Sequence, residues 1–194
     1  MTTETDTLDR QITMLCTPTL VWRADGSIGA TIAFTQTNGV PAAMNGRVGS
    51  DGSINLTAMP HDDNYNDNID ITIMLDTSRM VTQDGSQPVA GRWALPDEFS
   101  GTGPVTGYGW FCGNDANGNY SASLPITIPD MSFMRVSDTE LVIDDDTPDN
   151  SPTYAYAMGL VLPGYGNYYM TIDPRITTKT SVGTNFMLNQ TPSC

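Results

Sequence analysis

Ile69-Asp70-Ile71-Thr72-Ile73-Met74-Leu75 decides the fold class, because its apolar residues recur with a period of two. Extended, this stretch puts Ile69, Ile71, Ile73 and Leu75 on one face and Asp70, Thr72 and Met74 on the other. A helix would scatter the same residues around its circumference. Isoleucine and threonine also suit a pleated, half-buried surface. Thr31-Ile32-Ala33-Phe34-Thr35 and Ser53-Ile54-Asn55-Leu56-Thr57 repeat the pattern on either side of turn residues. Tyr154, Tyr156, Met158, Leu160 and Leu162 line one face of a longer run, with Ala155, Ala157, Gly159 and Val161 on the other. Both faces there are apolar or small, which predicts a central strand covered on both sides.

Asp25-Gly26, Asn38-Gly39, Asn45-Gly46, Asp51-Gly52, Asp84-Gly85 and Asn117-Gly118 punctuate these runs, and such dipeptides favour hairpin turns. The 13 prolines break any helix longer than two turns, leaving short helical turns near Thr5–Gln11 and Leu95–Ser100. Strands are predicted at 11–16, 18–23, 28–36, 44–49, 53–58, 69–76, 88–93, 105–112, 120–127, 131–136, 140–143, 153–162 and 167–173, with His61–Asn68 as a loop. The reading is all-β: a single-domain, mostly antiparallel, jelly-roll-like β-sandwich spanning 1–194, with about 10–13 short strands and little helix. Residues 1–10 read as a polar arm and 185–194 as a C-terminal tail. No basic, apolar leader opens the chain and no run approaches the ~18 apolar residues of a membrane span, so the expected location is cytoplasmic, with release by lysis or non-classical export.

Of 194 residues, 22 are acidic and 8 basic, a net charge of −14. Such a field repels nucleic acid. Lys179 is the only lysine. Strand edges are commonly guarded by lysine, so these edges are poorly defended against pairing with another chain. Cys16, Cys112 and Cys194 are too far apart for a zinc or redox motif; Cys194 could join two chains. Asn55, Asn119 and Asn189 open N-x-S/T triplets, which an Asn-, Ser- and Thr-rich chain yields by chance.

His61 is the sole histidine and sits in a polar loop, so a histidine-based nucleophilic mechanism has a single candidate base. Phosphate-loop, dinucleotide and nucleophile-elbow motifs are absent. Hard oxygen ligands cluster three times: Asp62, Asp63 and Asp67; Asp115, Asn117 and Asn119; and Asp144, Asp145 and Asp146. These are the candidate Ca²⁺ ligands, since that ion takes carboxylate and carbonyl oxygens. Tyr108, Trp110, Tyr165 and Tyr168 lie beside glycines near strand ends and are the candidate rings for a glycan or a protein interface.

Phe133-Met134-Arg135-Val136, Leu141-Val142-Ile143-Asp144, the Tyr154-Ala155-Tyr156 strand and Asp173-Pro174-Arg175-Ile176 together resemble the end of the AidA/PixA family of bacterial inclusion-body proteins. That resemblance implies a β-sandwich without known catalysis, found in abundant proteins that pack into inclusions. The leading expectation is a non-enzymatic, self-associating structural protein of bacterial or phage type: an inclusion, filament or particle component forming homo-oligomers. A Ca²⁺-dependent carbohydrate-binding module is the alternative, and a hydrolase using an Asp/Glu pair is the third class.

Overall fold

A computed structural model describes residues 7–57, 59–98, 107–146, 153–166, 168–172 and 174–177. The strands are β1 (Leu8–Trp22), β2 (Ile28–Val40), β3 (Ile54–Asn55), β4 (Tyr65–Leu75), β5 (Arg92–Trp93), β6 (Gly109–Asn114), β7 (Tyr120–Ile126), β8 (Met131–Arg135), β9 (Glu140–Asp145), β10 (Thr153–Leu162), β11 (Tyr168–Ile172) and β12 (Arg175–Thr177). Two sheets pack together as a sandwich. The first runs β2-β1-β4-β9-β8. The second runs β3-β12-β10-β6-β7, with β11 and β5 also paired to β10. Both sheets are mixed, because β1 with β4 and β12 with β3 are parallel while the other pairs are antiparallel. Among the described residues no helix is long and apolar enough to cross a membrane.

The deciding stretch lies in β4, between β1 and β9. Ile69, Ile71, Ile73 and Leu75 are all buried. The register aligns Ile12, Ile71, Ile143 and Phe133 in one row across β1, β4, β9 and β8. Met14, Ile73 and Leu141 form the next row. Each fully buried Ile or Leu contributes about 1.5–3 kcal/mol. Facing them, β10 supplies Tyr156, Met158, Leu160 and Leu162 to the same core. On its opposite face Ala155 and Ala157 lie beside Cys112 and Trp110 of the adjoining β6, and all four are buried, so both faces of β10 are buried.

Several local expectations are corrected. The strands placed at 11–16 and 18–23 are one strand, β1, continuous through Pro18. The hydrogen bond from Arg23 N to the Ser27 carbonyl sets the β1–β2 register, in which the nitrogen of Pro18 points away from β2. It points to the side where pairing with β4 has ended at Cys16, so no ladder donor is lost. The polar arm and helical turn near residues 5–11 give way to strand from Leu8 onward, because β1 pairs with β4 from there. Of the turn placed at Leu95–Ser100, the described residues show one closure, Glu98 N donating to the Leu95 carbonyl. Residues 44–49 are not a strand. A short 3₁₀ turn at Ala42–Met44 leads into a loop whose Arg47 and Val48 amides donate to Gln36 Oε1 instead of to a ladder. The loop placed at 61–68 ends early, since Tyr65–Asn68 already belong to β4. Lys179, Cys194 and the 185–194 tail lie outside the described residues.

Candidate functional site

The three acidic clusters take different forms. In the first, Asp62 Oδ1 accepts from Asn64 N and Nδ2 at 3.0 Å each, which holds the carboxyl below its usual range. Asp63 meets the exposed His61 ring at 3.0 Å, and Asp67 lies 3.7 Å from Arg10 Nη2. In the second, Asp115 Oδ1 accepts from the backbone amides of Asn117 and Asn119 at 2.8 and 2.9 Å. Asn117 and Asn119 thus donate to the aspartate that closes their turn. The third cluster was read as a tight acidic run and is corrected: Asp144 and Asp145 are on β9, and the pleat sends neighbours to opposite faces. Asp145 is buried in the core face and Asp144 turns outward opposite Asp70. Burial of its surroundings raises the Asp144 carboxyl above its usual range, helped by Asp146, Asp70 and Asp9. Among the described residues no three His, Cys, Asp or Glu side chains converge as a metal set.

The four candidate aromatics also separate. Trp110 is only 5% exposed; it packs with Cys112, Ala155 and Ala157 and donates from Nε1 to the Ala122 carbonyl at 2.8 Å. Tyr108 is half-buried and donates to the Phe133 carbonyl at 3.3 Å. The Tyr168 backbone pairs with Leu162 in β11, and its side chain lies outside the described set. Tyr165, at the end of the Pro163–Tyr165 turn, is exposed. Its ring meets Trp22 at 5.2 Å between centroids and 58° between planes. Trp22 escaped the sequence reading, which sought rings beside glycines near strand ends: Trp22 ends β1, but Gly26 is four residues on.

Arg10 was likewise missed. It is buried, donating from Nε to the Asn66 carbonyl at 2.8 Å and from Nη2 to the Pro60 carbonyl at 3.1 Å. It therefore pins the 60–67 segment to β1. No pattern within the residues around it signals this, because its partners lie 50 and 56 positions away.

Among the described residues the sheets end side by side on one flank of the sandwich. There β7 closes the second sheet, β8 closes the first, and Thr127–Asp130 joins them. Phe111 of β6 packs on Phe133 of β8 at 5.0 Å, which brings the two edges together. Hydrogen bonds from Asp146 N to Asp130 O and from Val136 N to Glu140 O set the β8 register. In it Ser132 and Met134 bond towards β9 and Phe133 faces the open flank, where Tyr108 takes its carbonyl. The far end of β8 carries an ion pair between Arg135 and Asp138. β7 has no such guard: Tyr120-Ser121-Ala122-Ser123-Leu124-Pro125-Ile126 contains no charge, and Leu124 and Ile126 are 42% and 38% exposed.

No protein-family model matches this chain, and no curated protein is significantly similar to it.

Proposed function

We propose that this protein self-associates, with a second copy of the chain docking on the β7–β8 flank. The observation that carries the reading is β7, an uncharged edge strand of seven residues with exposed Leu124 and Ile126. Unguarded edges of this kind pair readily with other strands. Met134 and Val136, on and just beyond β8, are exposed on the outer face of the first sheet beside it, so four of the nine exposed large apolar side chains among the described residues lie on or next to this flank. Charge favours the same face. Residues 120–137 contain Asp130 and Arg135 alone, a sum of zero in a chain of net −14. Two copies meeting here bring little like charge together. Pro125 removes one donor from the edge, so side-chain packing contributes alongside backbone pairing. The resemblance of residues 131–179 to inclusion-body proteins points the same way.

Sedimentation velocity from low to high micromolar protein tests this, with reductant present so that Cys194 cannot cross-link. Wild type should sediment above the 20.9 kDa monomer as concentration rises. Leu124→Lys and Ile126→Lys, each with an unchanged far-ultraviolet spectrum, should return it to the monomer. A wild-type monomer at every concentration would overturn the reading, and so would lysine variants that assemble as wild type does.

A further inference from the structure

Away from that flank, at the end of β1, three segments distant in sequence form an open cleft of about 540 Å³. Trp22 comes from the end of β1, Tyr165 from the turn after β10, and Thr82, Gln83, Asp84 and Ser86 from the loop between β4 and β5. The two rings are neither parallel nor edge-on; they touch as a tilted corner at 58°. Trp22 Nε1 donates to the Val81 carbonyl at 3.0 Å, which fixes the indole before any ligand arrives. The loop is equally rigid. Thr82 N donates to the Gln87 carbonyl and Gly85 N to the Thr82 carbonyl, while Asp84 accepts from Thr82 Oγ1 at 2.5 Å and Ser86 Oγ at 2.8 Å. The rim therefore offers hydroxyls, a carboxylate and the exposed Gln83 amide, which both donates and accepts.

We propose that this cleft binds a neutral saccharide, one pyranose face stacking in the Trp22–Tyr165 corner and its hydroxyls bonding to the Gln83–Ser86 rim. The lining chemistry disfavours an anion. An anion meets no cationic side chain among the lining residues and faces Asp84, which its hydrogen bonds keep ionised down to about pH 2. A quaternary ammonium ion could lie over the rings beside Asp84 but leaves the hydroxyls and the Gln83 amide unused, so choline is the competing ligand in the titration below. A sugar uses both: an apolar C–H face against the aromatic ring and hydroxyls against paired donors and acceptors. This site is independent of the flank that supports self-association.

Tryptophan emission reads the site directly, because Trp22 is half-buried whereas Trp93 and Trp110 are 0% and 5% exposed. The full-length protein is titrated with maltose, cellobiose, xylobiose and chitobiose, with sodium phosphate and choline chloride in parallel. At least one disaccharide should give a saturable change in emission. Tyr165→Ala and Gln83→Ala, both exposed positions, should weaken it about tenfold or more at an unchanged melting temperature, a loss near 1.4 kcal/mol. Absence of saturation with every disaccharide would overturn the proposal. So would saturation by choline or phosphate alone, or binding indifferent to both substitutions.

Discussion

Replacing Glu98 by Gln should destabilise the fold by about 2–3 kcal/mol at neutral pH, and that penalty should disappear in acid. Glu98 Oε1 and Oε2 accept from Arg92 Nη2 and Nη1 at 2.6 Å each, and Oε2 also accepts from Leu95 N at 2.7 Å. The side chains are 17% and 13% exposed, so solvent screens the pair weakly. These bonds, the Arg92 ones first, hold the Glu98 carboxyl at about 2, against an ordinary 4.5. A fall of about 2.5, at 1.36 kcal/mol for each pH unit, sets a ceiling of about 3.4 kcal/mol. Glutamine keeps part of the hydrogen bonding, which brings the expected loss below that ceiling. The folded value lies under the unfolded one. The stabilisation is therefore fully present above about pH 4.5 and drains away as pH falls towards 2. Urea unfolding of wild type and Glu98→Gln, repeated at steps from neutral to acid, measures the gap between the two curves. A gap that stays constant with pH would refute the argument. So would no gap at neutral pH.

Asp144 and Asp70 face each other across β9 and β4, and both carboxyls are raised above their usual range. Asp144→Asn should stabilise the protein by up to about 1 kcal/mol at neutral pH, by removing one of two like groups directly opposite each other. The gain should shrink as acid protonates the wild-type pair, which thermal melts across the pH range will follow. Tyr156 donates to the Gly52 carbonyl at 2.8 Å from a fully buried position, so Tyr156→Phe should cost about 1–2 kcal/mol in chemical unfolding. Cys16 and Cys112 are buried, and burial pushes the Cys16 thiol far above its usual range. Neither should react with a thiol reagent until denaturant is added, as mapped by mass spectrometry.

The alternation of Ile69, Ile71, Ile73 and Leu75 was legible because a two-residue period is a local property. It needs no knowledge of partners to say which side chains turn inward. The double-sided coverage of β10 was legible for the same reason, since Tyr154–Leu162 is apolar or small on both faces. Failures came where a side chain's role depends on residues far along the chain. Pro18 looked like a strand end, yet β1 runs through it because the sheet offers no acceptor on that side. The Asp144–Asp146 run looked like one cluster, and the pleat of β9 divides it. Trp110 looked available to a ligand, and the fold seats it under Ala122.

By itself, then, the sequence determined the class: an all-β chain, turned at Asn-Gly and Asp-Gly, with one apolar face on most strands and two on the strand at 153–162. Tertiary structure decided which strands neighbour one another, and with that which edges stay open and which rings meet. The pairing of β1 with β4 joins residues 57 or more positions apart, and the corner formed by Trp22 and Tyr165 spans nearly the whole described chain. The physical reason is that burial of one face drives collapse without naming a partner. The partner is chosen by how whole sheets pack, an energy shared among distant residues and carried by none of them alone.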